Sequence, residues 1–453
     1  MDVLNLLALT ASAGFFLVLS AYSIYEKEYR ASVISALSAL LFILLWGTVI
    51  IWGRAPFIRH LNILLLISVL LFLTVSFIRY FPKKDMKDQG DIIQFDERDH
   101  MFARMNMLRS PGQAEIYYSS YPEKESQDKR TAKDPGLGEP GGKFYDRYFS
   151  PAVNAAFSLL DKTSAIRSGT VSERKGAHDP EETVRVIRWL AGYYGAADVG
   201  ITEMKAYHKY SHHGRQTENW GEPVKNEHKY GIVVVVKMDQ DMIGQAPSLP
   251  VLLESSRQYV ESATIAHLIA EYIRELGYDA LSHVDGNYDI LAVPMAKDAG
   301  LGDVGRMGIL VHRKFGPSVR LAVVTTDMPL IPSAGKDEHI EEFCSVCRKC
   351  ALNCPTGSVP SGNKPGSRNF KHWSADQQTC YAYWRKAGTD CGFCIRVCPY
   401  TKKDTLVHRL IRYYISRNPV NQRIALAMDN IFYGKKIGLK DRNDQKRFLG
   451  SGD

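Results

Sequence analysis

The sequence predicts three membrane-spanning helices, followed by a large layered α/β region and a compact cysteine-rich module. Three long uncharged runs lie within the first 78 residues, and helical and strand patterns alternate between about residues 180 and 325. All eight cysteines fall between Cys344 and Cys398. A chain of 453 residues with 45% hydrophobic content is long enough for several domains and too apolar to be disordered. The clustering of the cysteines argues against a disulfide-stapled secreted protein.

The three uncharged runs cover residues 3–25, 31–53 and 61–78. At 1.5 Å per residue they measure roughly 27–35 Å, which matches a hydrocarbon core of about 30 Å. A buried soluble three-helix bundle would need polar helix faces, which these runs lack, and a cleaved signal peptide has only one short run. We therefore expect residues 1–84 to be a multi-pass membrane anchor in contact with lipid.

Basic residues near the runs predict the orientation of this anchor. Lys and Arg are enriched on the cytoplasmic side of short membrane flanks. With three spans, one side carries six such residues and the other two. This bias predicts that the soluble part lies in the cytoplasm. The six are Lys27, Arg30, Arg79, Lys83, Lys84 and Lys87, and the two are Arg54 and Arg59.

The region between the anchor and the cysteines has two parts that differ in composition and in periodic pattern. Residues 85–160 are rich in Gly, Pro and charge and are expected to be a loop-rich lead-in. Residues 161–335 show alternating helix and strand patterns, which are typical of an α/β domain. The expected helices are 181–194 and 262–276, and the expected strands are 197–201, 231–237, 290–294 and 319–325.

The cysteines carry the most specific chemical signal. Four of them form C-x2-C-x2-C-x3-C-P, the spacing of bacterial [4Fe–4S] ferredoxins, in which the fourth cysteine binds the other cluster. The other four keep the last two spacings and also end in C-P. Residues 336–405 are therefore expected to form a ferredoxin-like module with two [4Fe–4S] clusters, although a pair of zinc sites is the alternative. The predicted ligand sets are Cys344, Cys347, Cys350 and Cys398 for one cluster, and Cys354, Cys380, Cys391 and Cys394 for the other.

Other functional classes find little support. The net charge of +8 is mild for this length, and there is no C2H2 spacing, so nucleic acid is not an expected partner. No G-x-G-x-x-G motif follows a strand, so neither nicotinamide nor flavin is indicated. The residues alone predict a membrane-anchored iron–sulfur oxidoreductase that ends in a C-terminal extension over 406–453.

The order of several short motifs resembles a known family. They are DPGL at 134–137, AADVGI at 196–201, YIRELGY at 272–278, DAGLG at 298–302, RMG at 306–308, FGP at 315–317, CGFCIRVCPY at 391–400 and DNIFYG at 429–434. Together they resemble the corrinoid-dependent reductive dehalogenases, and more distantly epoxyqueuosine reductase.

This resemblance implies a nitroreductase-like α/β domain over residues 161–335 that holds base-off cobalamin or a related corrinoid. The expected reaction is reductive dehalogenation of a small organohalide. Electrons would come from a ferredoxin, a flavodoxin or a quinol-linked donor. The implied corrinoid contacts, where small residues would let the backbone approach the nucleotide tail, are Pro294, Gly300, Leu301, Gly302 and Arg306.

The family's proton donor is a tyrosine that follows the strand at 197–201. Tyr210, which precedes a serine, matches this motif best, with Tyr207 as runner-up. Many members place a Lys or Arg shortly after a tyrosine in a later helix, but here Tyr259 leads to Glu261. Another cation would then have to stabilise the phenolate. The candidates are Lys209, Arg215 and Arg257.

Two alternative functions remain open at this point. A corrinoid iron–sulfur reductase could act on a non-halogenated substrate, as epoxyqueuosine reductase does, and Glu261 favours that reading. A membrane electron-transfer protein with clusters and no corrinoid is the other alternative. Respiratory dehalogenases usually carry a twin-arginine signal, and no such pair precedes the first run. Coupling to respiration therefore does not follow from the resemblance.

Overall fold

The computed structural model comprises two compact units, each of which is described by itself. The smaller unit joins residues 1–85 to residues 402–437, and the larger joins 86–401 to 438–453. The segment predicted as a C-terminal extension is thus divided between the units. The structure describes residues 2–52, 56–81, 94–335, 338–362 and 372–450.

The smaller unit is entirely helical in its described residues. Helices α1 and α2 are long and apolar enough to cross a membrane, over Asn5–Tyr25 and Tyr29–Trp52. The third predicted span is also helical, over Pro56–Phe77, but among its described residues only Ile67–Phe77 forms an apolar stretch, which is too short for a span. The structure therefore supports two of the three predicted spans. The helices of this unit are α1 (Asp2–Tyr25), α2 (Tyr29–Trp52), α3 (Pro56–Phe77), α16 (Leu406–Ile415) and α17 (Pro419–Tyr433).

The larger unit is built around one antiparallel sheet and a two-stranded hairpin. Its strands are β1 (Asp198–Glu203), β2 (Tyr230–Lys237), β3 (Ala280–His283), β4 (Gly302–Val304), β5 (Leu310–His312) and β6 (Val319–Thr326). Its helices are α4 (Met101–Met107), α5 (Pro111–Ser120), α6 (Pro122–Thr131), α7 (Ser150–Thr163), α8 (Pro180–Tyr193), α9 (Gln240–Ile243), α10 (Leu249–Glu275), α11 (Ala292–Asp298), α12 (Ile340–Cys347), α13 (Lys349–Asn353), α14 (Gln377–Ala387), α15 (Phe393–Arg396) and α18 (Arg442–Leu449).

The four-stranded sheet has the order β1-β2-β6-β3 and is covered on both faces. Side chains alternate along a strand, so the unbroken apolar run of β2 supplies two cores. Ile232, Val234 and Val236 pack with residues of α8 and α10 on one face. Val233 and Val235 pack with α11 and the β4–β5 hairpin on the other. Burial on both faces explains why β2 contains no polar residue between Gly231 and Lys237.

Most of the predicted elements are confirmed, with two exceptions. Helix 181–194 and the strands 197–201, 231–237 and 319–325 correspond to α8, β1, β2 and β6, and helix 262–276 lies within the longer α10. The strand predicted at 290–294 is wrong, because the chain makes a single bridge at Ile290 and then enters α11.

The loop-rich interpretation of residues 85–160 is also wrong. The helices α4 to α7 lie there, and α5, α6 and α7 each carry proline in the first turn, where its missing N–H costs nothing. The buried ion pair between Arg104 and Asp128, at 2.7 Å, connects α4 to α6. Long-range pairing of this kind stabilises helices whose sequences are poor in apolar periodicity.

Gly316 lies at a tightly packed position in the larger unit. It has φ +61°, and a Cβ at this position would overlap the backbone carbonyl of Tyr400. We expect Gly316→Ala to lower stability by about 1–3 kcal/mol, the usual range for overpacking, as a drop in the thermal midpoint. Gly450→Ala is the matched control, since Gly450 has φ +66° but open space around it. Equal shifts for the two variants would contradict the packing argument.

Candidate functional site

The eight cysteines lie on short helices and the turns between them. Helix α12 carries Cys344 and Cys347, and α13 carries Cys350. Arg348, between these helices, has a left-handed backbone with φ +54°, and so does Cys391 with φ +47°. Non-glycine residues rarely adopt this conformation, and such strain concentrates at functional sites. The turns at Arg348 and Cys391 bring successive thiols close together in space.

The thiols form two groups of four. Cys398 interacts electrostatically with Cys344, Cys347 and Cys350, and these four side chains line one small cavity. The second group is centred on Cys394. Its thiol interacts in the same way with Cys391, Cys380 and Cys354. The two groups are also close to each other, because the thiols of Cys350 and Cys394 interact electrostatically. The first three cysteines of each C-P motif therefore belong to one group, and the last cysteine, which precedes the proline, belongs to the other group.

Burial sets the chemistry of these thiols. It raises the pKa of Cys344 to about 11 and that of Cys350 to about 12. Cys354 differs, because hydrogen bonds from Thr356 and from backbone N–H groups outweigh its burial and lower its pKa. Thiols with raised pKa values are protonated at neutral pH unless a metal binds them, and coordination removes the proton. A metal ion at either group would therefore have to displace the thiol protons.

The geometry also bears on the kind of metal. Among the described residues, no three His, Cys, Asp or Glu side chains converge closely enough to hold one ion. A zinc ion needs four ligand atoms within about 2.3 Å, whereas each thiolate of a [4Fe–4S] cluster binds a different iron atom. Four thiols in each group match the number of protein ligands that either kind of site uses.

Arg306 fixes the backbone around the first group of thiols. Its side chain is 1% exposed and stacks over Trp373, with the guanidinium carbon 4.4 Å from the ring centroid. The guanidinium donates to the carbonyls of Cys344 and Ser345, at 3.1 Å each. It also donates to the carbonyls of Pro360 and Gly362, at 3.0 and 2.6 Å. Its donors are thus directed to main chain of the cysteine region.

The other residues expected to contact a corrinoid are also packed within the protein. Pro294 lies in α11, and Leu301 is 1% exposed. A Cβ on Gly300 would come within 2.5 Å of the Gly335 backbone, and one on Gly302 would overlap Val311. These glycines are explained by close backbone packing. Leu301 also lines a cavity of about 510 Å³ beside β1, together with Arg188, Arg313 and Ser333.

Tyr210 lies in a second cluster, which is deep in the same unit. It follows β1, its N–H donates to the carbonyl of Asp289 at 3.0 Å, and only 9% of the residue is exposed. Burial raises the pKa of its phenol, and the nearby Glu97 carboxylate raises it further. The Arg215 guanidinium opposes both effects. Tyr210 is therefore a neutral phenol whose ionisation depends on one neighbouring cation.

Arg215 is held in place from several directions. Its guanidinium lies 3.7 Å from Asp285 and over the ring of Phe102, 5.2 Å from the centroid. Glu97, which is 4% exposed, accepts hydrogen bonds from the main-chain N–H groups of Gly214 at 2.8 Å and Arg215 at 3.2 Å. The loop that carries the cation is thus fixed to the lead-in segment.

A second arginine connects the tyrosine cluster to the thiols. Arg320, on β6, lies over Tyr259 at 5.1 Å and donates to Ser255 at 2.6 Å and to Asp390 at 3.3 Å. Asp390 directly precedes Cys391. Burial raises the pKa of Tyr259 to about 12, although Arg320 acts against this shift. The Nε of Arg215, the Nε of Arg320 and Oδ1 of Asp390 have no hydrogen-bond partner among the described residues. Buried atoms of this kind are satisfied in proteins by an ordered water, an ion or a ligand.

The structure distinguishes among the side chains proposed from the sequence. The hydroxyl of Tyr207 donates to Asp298, which also pairs with Lys205 and His208. Lys209 donates to the carbonyl of Asn226, and the side chain of Arg257 is 66% exposed. Of the three candidate cations, Arg215 is therefore the one placed beside Tyr210.

Sequence reasoning missed Glu97, Asp285 and Arg320. Only Arg320 carried a local signal, because it is a charged residue within an otherwise apolar strand at 319–324. Such a residue must find a buried partner or a ligand. The others gave no signal, since they come from two distant segments and meet only in the folded chain.

Comparison with curated proteins supports the resemblance. No family model matches. The chain is 31% identical to the tetrachloroethene reductive dehalogenase of Sulfurospirillum multivorans, over 48% of this chain and 44% of that enzyme. Its match to the epoxyqueuosine reductase of Lactococcus garvieae is weaker, at 24% identity over 30% of the chain. The chain spans less than half the length of both relatives.

Comparison with solved structures shows the fold. A catabolic reductive dehalogenase in complex with 3-bromo-4-hydroxybenzoic acid superposes with a TM-score of 0.63 at 23% identity, covering 81% of this chain and 50% of that one. A second reductive dehalogenase, studied for B12-dependent dehalogenation, gives 0.59 at 24% identity, over 69% and 47%. The expected resemblance to reductive dehalogenases is thereby confirmed in sequence and in fold.

Arg306 generates a prediction about the first thiol group. Arg306→Lys keeps the positive charge but cannot donate to four carbonyls, and a lost charged hydrogen bond costs about 1.5–3 kcal/mol. We expect a lower thermal midpoint and reduced iron content in anaerobically purified protein. Arg348→Lys is the control, since Arg348 lines the same cavity but is exposed. Unchanged iron content in Arg306→Lys would contradict this role.

Proposed function

We propose that this chain is a membrane-anchored corrinoid iron–sulfur reductase that removes halogen from an organohalide. The observation that carries the proposal is the link from a buried tyrosine and two arginines, through Asp390, to a double set of cysteines. Similarity to tetrachloroethene reductive dehalogenase supports the same reaction. Neither feature alone would separate this activity from plain electron transfer.

The eight cysteines are proposed as ligands of two [4Fe–4S] clusters in a ferredoxin-like module. Cys344, Cys347, Cys350 and Cys398 would hold one cluster, and Cys354, Cys380, Cys391 and Cys394 the other. The grouping of the thiols supports this assignment. The proximity of Cys350 and Cys394 supports short-range electron transfer between the two sites.

The corrinoid is proposed to bind near the cluster of Tyr210, Arg215 and Arg320. The unsatisfied polar atoms of both arginines fit a polar ligand there. When bound, the corrinoid supplies the metal centre that reduces the carbon–halogen bond. Base-off binding and contacts from Pro294, Gly300, Leu301, Gly302 and Arg306 stay predictions. For Arg306 the donors are already committed to main-chain carbonyls.

The net reaction consumes two electrons and one proton. The carbon–halogen bond breaks, the halide leaves with its electron pair, and the carbon gains a hydrogen. In this scheme the Tyr210 hydroxyl donates the proton, and the Arg215 guanidinium stabilises the phenolate that remains. Glu97 holds the Arg215 backbone, so the cation stays next to the phenol during the transfer.

The N-terminal helices are proposed to anchor the enzyme in the cell membrane with its larger unit in the cytoplasm. Helices α1 and α2 meet the length and polarity of a span, and α3 is proposed as a third. The excess of Lys and Arg on one side supports the cytoplasmic orientation. The electron donor is then a cytoplasmic ferredoxin or flavodoxin, or a quinol-linked protein.

The non-halogenated alternative loses its sequence support in the structure. Glu261 lies 4.0 Å from Arg257, whose side chain is 66% exposed, so both belong to a solvent-facing ion pair. Glu261 therefore does not replace the cation beside Tyr210, which Arg215 supplies.

The proposal is tested with protein purified anaerobically after reconstitution with iron, sulfide and cobalamin. We expect about eight irons and one extractable corrinoid per chain, since each [4Fe–4S] cluster is held by four cysteines. Reduced protein should release chloride or bromide from a panel of aryl and alkenyl halides. Clusters without corrinoid would instead indicate an electron-transfer protein. A full cofactor complement without halide release from any compound would favour another substrate class.

Tyr210→Phe removes one hydroxyl from the proposed proton donor. Turnover should fall by ~10²–10⁴-fold, the usual contribution of a positioned general acid, with both cofactors retained. Tyr207→Phe is the matched control, because its hydroxyl is bonded to Asp298, and it should lower turnover much less. Halide release at a normal rate by fully loaded Tyr210→Phe would exclude Tyr210 from the mechanism.

Arg215→Gln removes the cation that lowers the pKa of Tyr210. Phenolate formation then becomes less favourable by ~1.4 kcal/mol for each unit by which this pKa rises. We expect turnover to fall at least about tenfold at constant cofactor content, with partial recovery in Arg215→Lys. Arg257→Gln alters an exposed side chain and should leave turnover unchanged. Equal effects of the Arg215 and Arg257 variants would contradict a specific role for Arg215.

A further inference from the structure

The C-terminal segment of the smaller unit caps the end of α3. The last carbonyls of a helix lack partners within the helix and need other donors. Asn418 donates to the carbonyls of Val75 and Ile78, at 3.1 Å each. Asn421 donates to Ser76 at 3.0 Å, and Arg417 donates to Phe77 at 2.8 Å. The turn between α16 and α17 therefore lies against the C-terminal end of α3.

The same segment also contacts the ends of α1 and α2. His408 and Glu26 hydrogen-bond at 3.1 Å, and both side chains are at most 5% exposed. At the start of α2, Arg30 donates to the carbonyl of Ile431 at 3.3 Å. Apolar packing accompanies these contacts, since Val407 and Phe432 share a core cluster with helices α1 and α2. The α16–α17 hairpin is thus fixed at one end of the apolar helices.

Helix α16 has a second apolar face that no described residue covers. Val407, Ile411 and Ile415 lie towards the inner side, where Val407 and Ile415 are 4% exposed. Leu406, Leu410 and Tyr413 are 59%, 53% and 50% exposed and recur at i, i+4 and i+7. This spacing places them in one stripe along the helix. Such a stripe, next to a polar face with Arg409, Arg412 and Ser416, is typical of a helix in the membrane interface.

The charge of the segment complements an anionic membrane surface. Residues 402–437 contain eight Lys and Arg but only two Asp. Arg409 is largely exposed, and so is Arg423. Basic segments beside membrane helices are attracted to anionic lipid headgroups. The basic residues of this hairpin also lie at the end of the bundle that carries Lys27, Arg30 and Arg79.

We propose that the α16–α17 hairpin lies in the membrane interface and binds anionic phospholipid, with Leu406, Leu410 and Tyr413 inserted among the upper acyl chains. This inference rests on the proposed membrane anchoring of α1 and α2. The hairpin adds a lateral contact at the level of the headgroups, where it holds the ends of the apolar helices together. A protein partner on this face is the competing occupant.

The test uses Leu410→Trp in the full chain with its cofactors. The protein is reconstituted into vesicles of phosphatidylcholine and phosphatidylglycerol. In these vesicles the acyl chains of the phosphatidylcholine are brominated near the headgroup. Tryptophan added at 410 should lose at least half of its fluorescence, measured as the difference from wild-type protein in the same vesicles. Ser416→Trp, on the polar face of the same helix, should be quenched much less. Vesicles of phosphatidylcholine alone should give weaker quenching at 410.

Flotation of the vesicles distinguishes the hairpin proposal from the membrane anchoring by α1 and α2 on which it rests. Wild-type protein that floats with the vesicles supports anchoring by the apolar helices. Flotation with no quenching at 410 would overturn the hairpin proposal and leave the anchoring intact, and it would favour a protein partner. Protein that does not float would overturn both. Quenching that is equal with and without phosphatidylglycerol would overturn the preference for anionic lipid.

Discussion

The ion pair between Arg320 and Asp390 is the interaction on which the larger unit depends most. Arg320 lies on β6, which pairs with both β2 and β3, so it is fixed by the centre of the sheet. Asp390 lies beside Cys391, so the same contact fixes the second group of thiols. Burying two charges is costly, and the cost is offset by their attraction and by the Ser255 hydrogen bond. The pair thus connects Tyr259, over which Arg320 lies, to the cysteine-rich segment.

The polar interior around Tyr210 follows from what the proposed reaction needs. A phenol that gives up a proton needs a cation nearby, but a freely mobile cation would be hydrated and would stabilise the phenolate less. Arg215 is therefore held by its own backbone, by Asp285 and by the ring of Phe102. In the proposed function, the substrate and the corrinoid would be the remaining partners of the Nε atoms of both arginines.

In the smaller unit, the main constraint is the pairing of carbonyls at the ends of the apolar helices. Apolar helices end at a surface where their last carbonyls must be satisfied, and the α16–α17 hairpin supplies the donors. Because these donors come from a segment more than 300 residues later, the chain returns to the apolar helices after it completes the cysteine module.

The sequence by itself determined the local features: the apolar helices α1 and α2, the buried strands β2 and β6, helix α8 and the spacing of the cysteines. Each depends on residues that are close in the chain, so periodicity and spacing were sufficient. Tertiary structure alone decided which cation lies beside Tyr210 and that residues 402–437 pack with the apolar helices. These outcomes depend on contacts between distant segments, such as Glu97 with Arg215 and His408 with Glu26. No local pattern encodes them, because the free energy that selects them arises only when the segments meet.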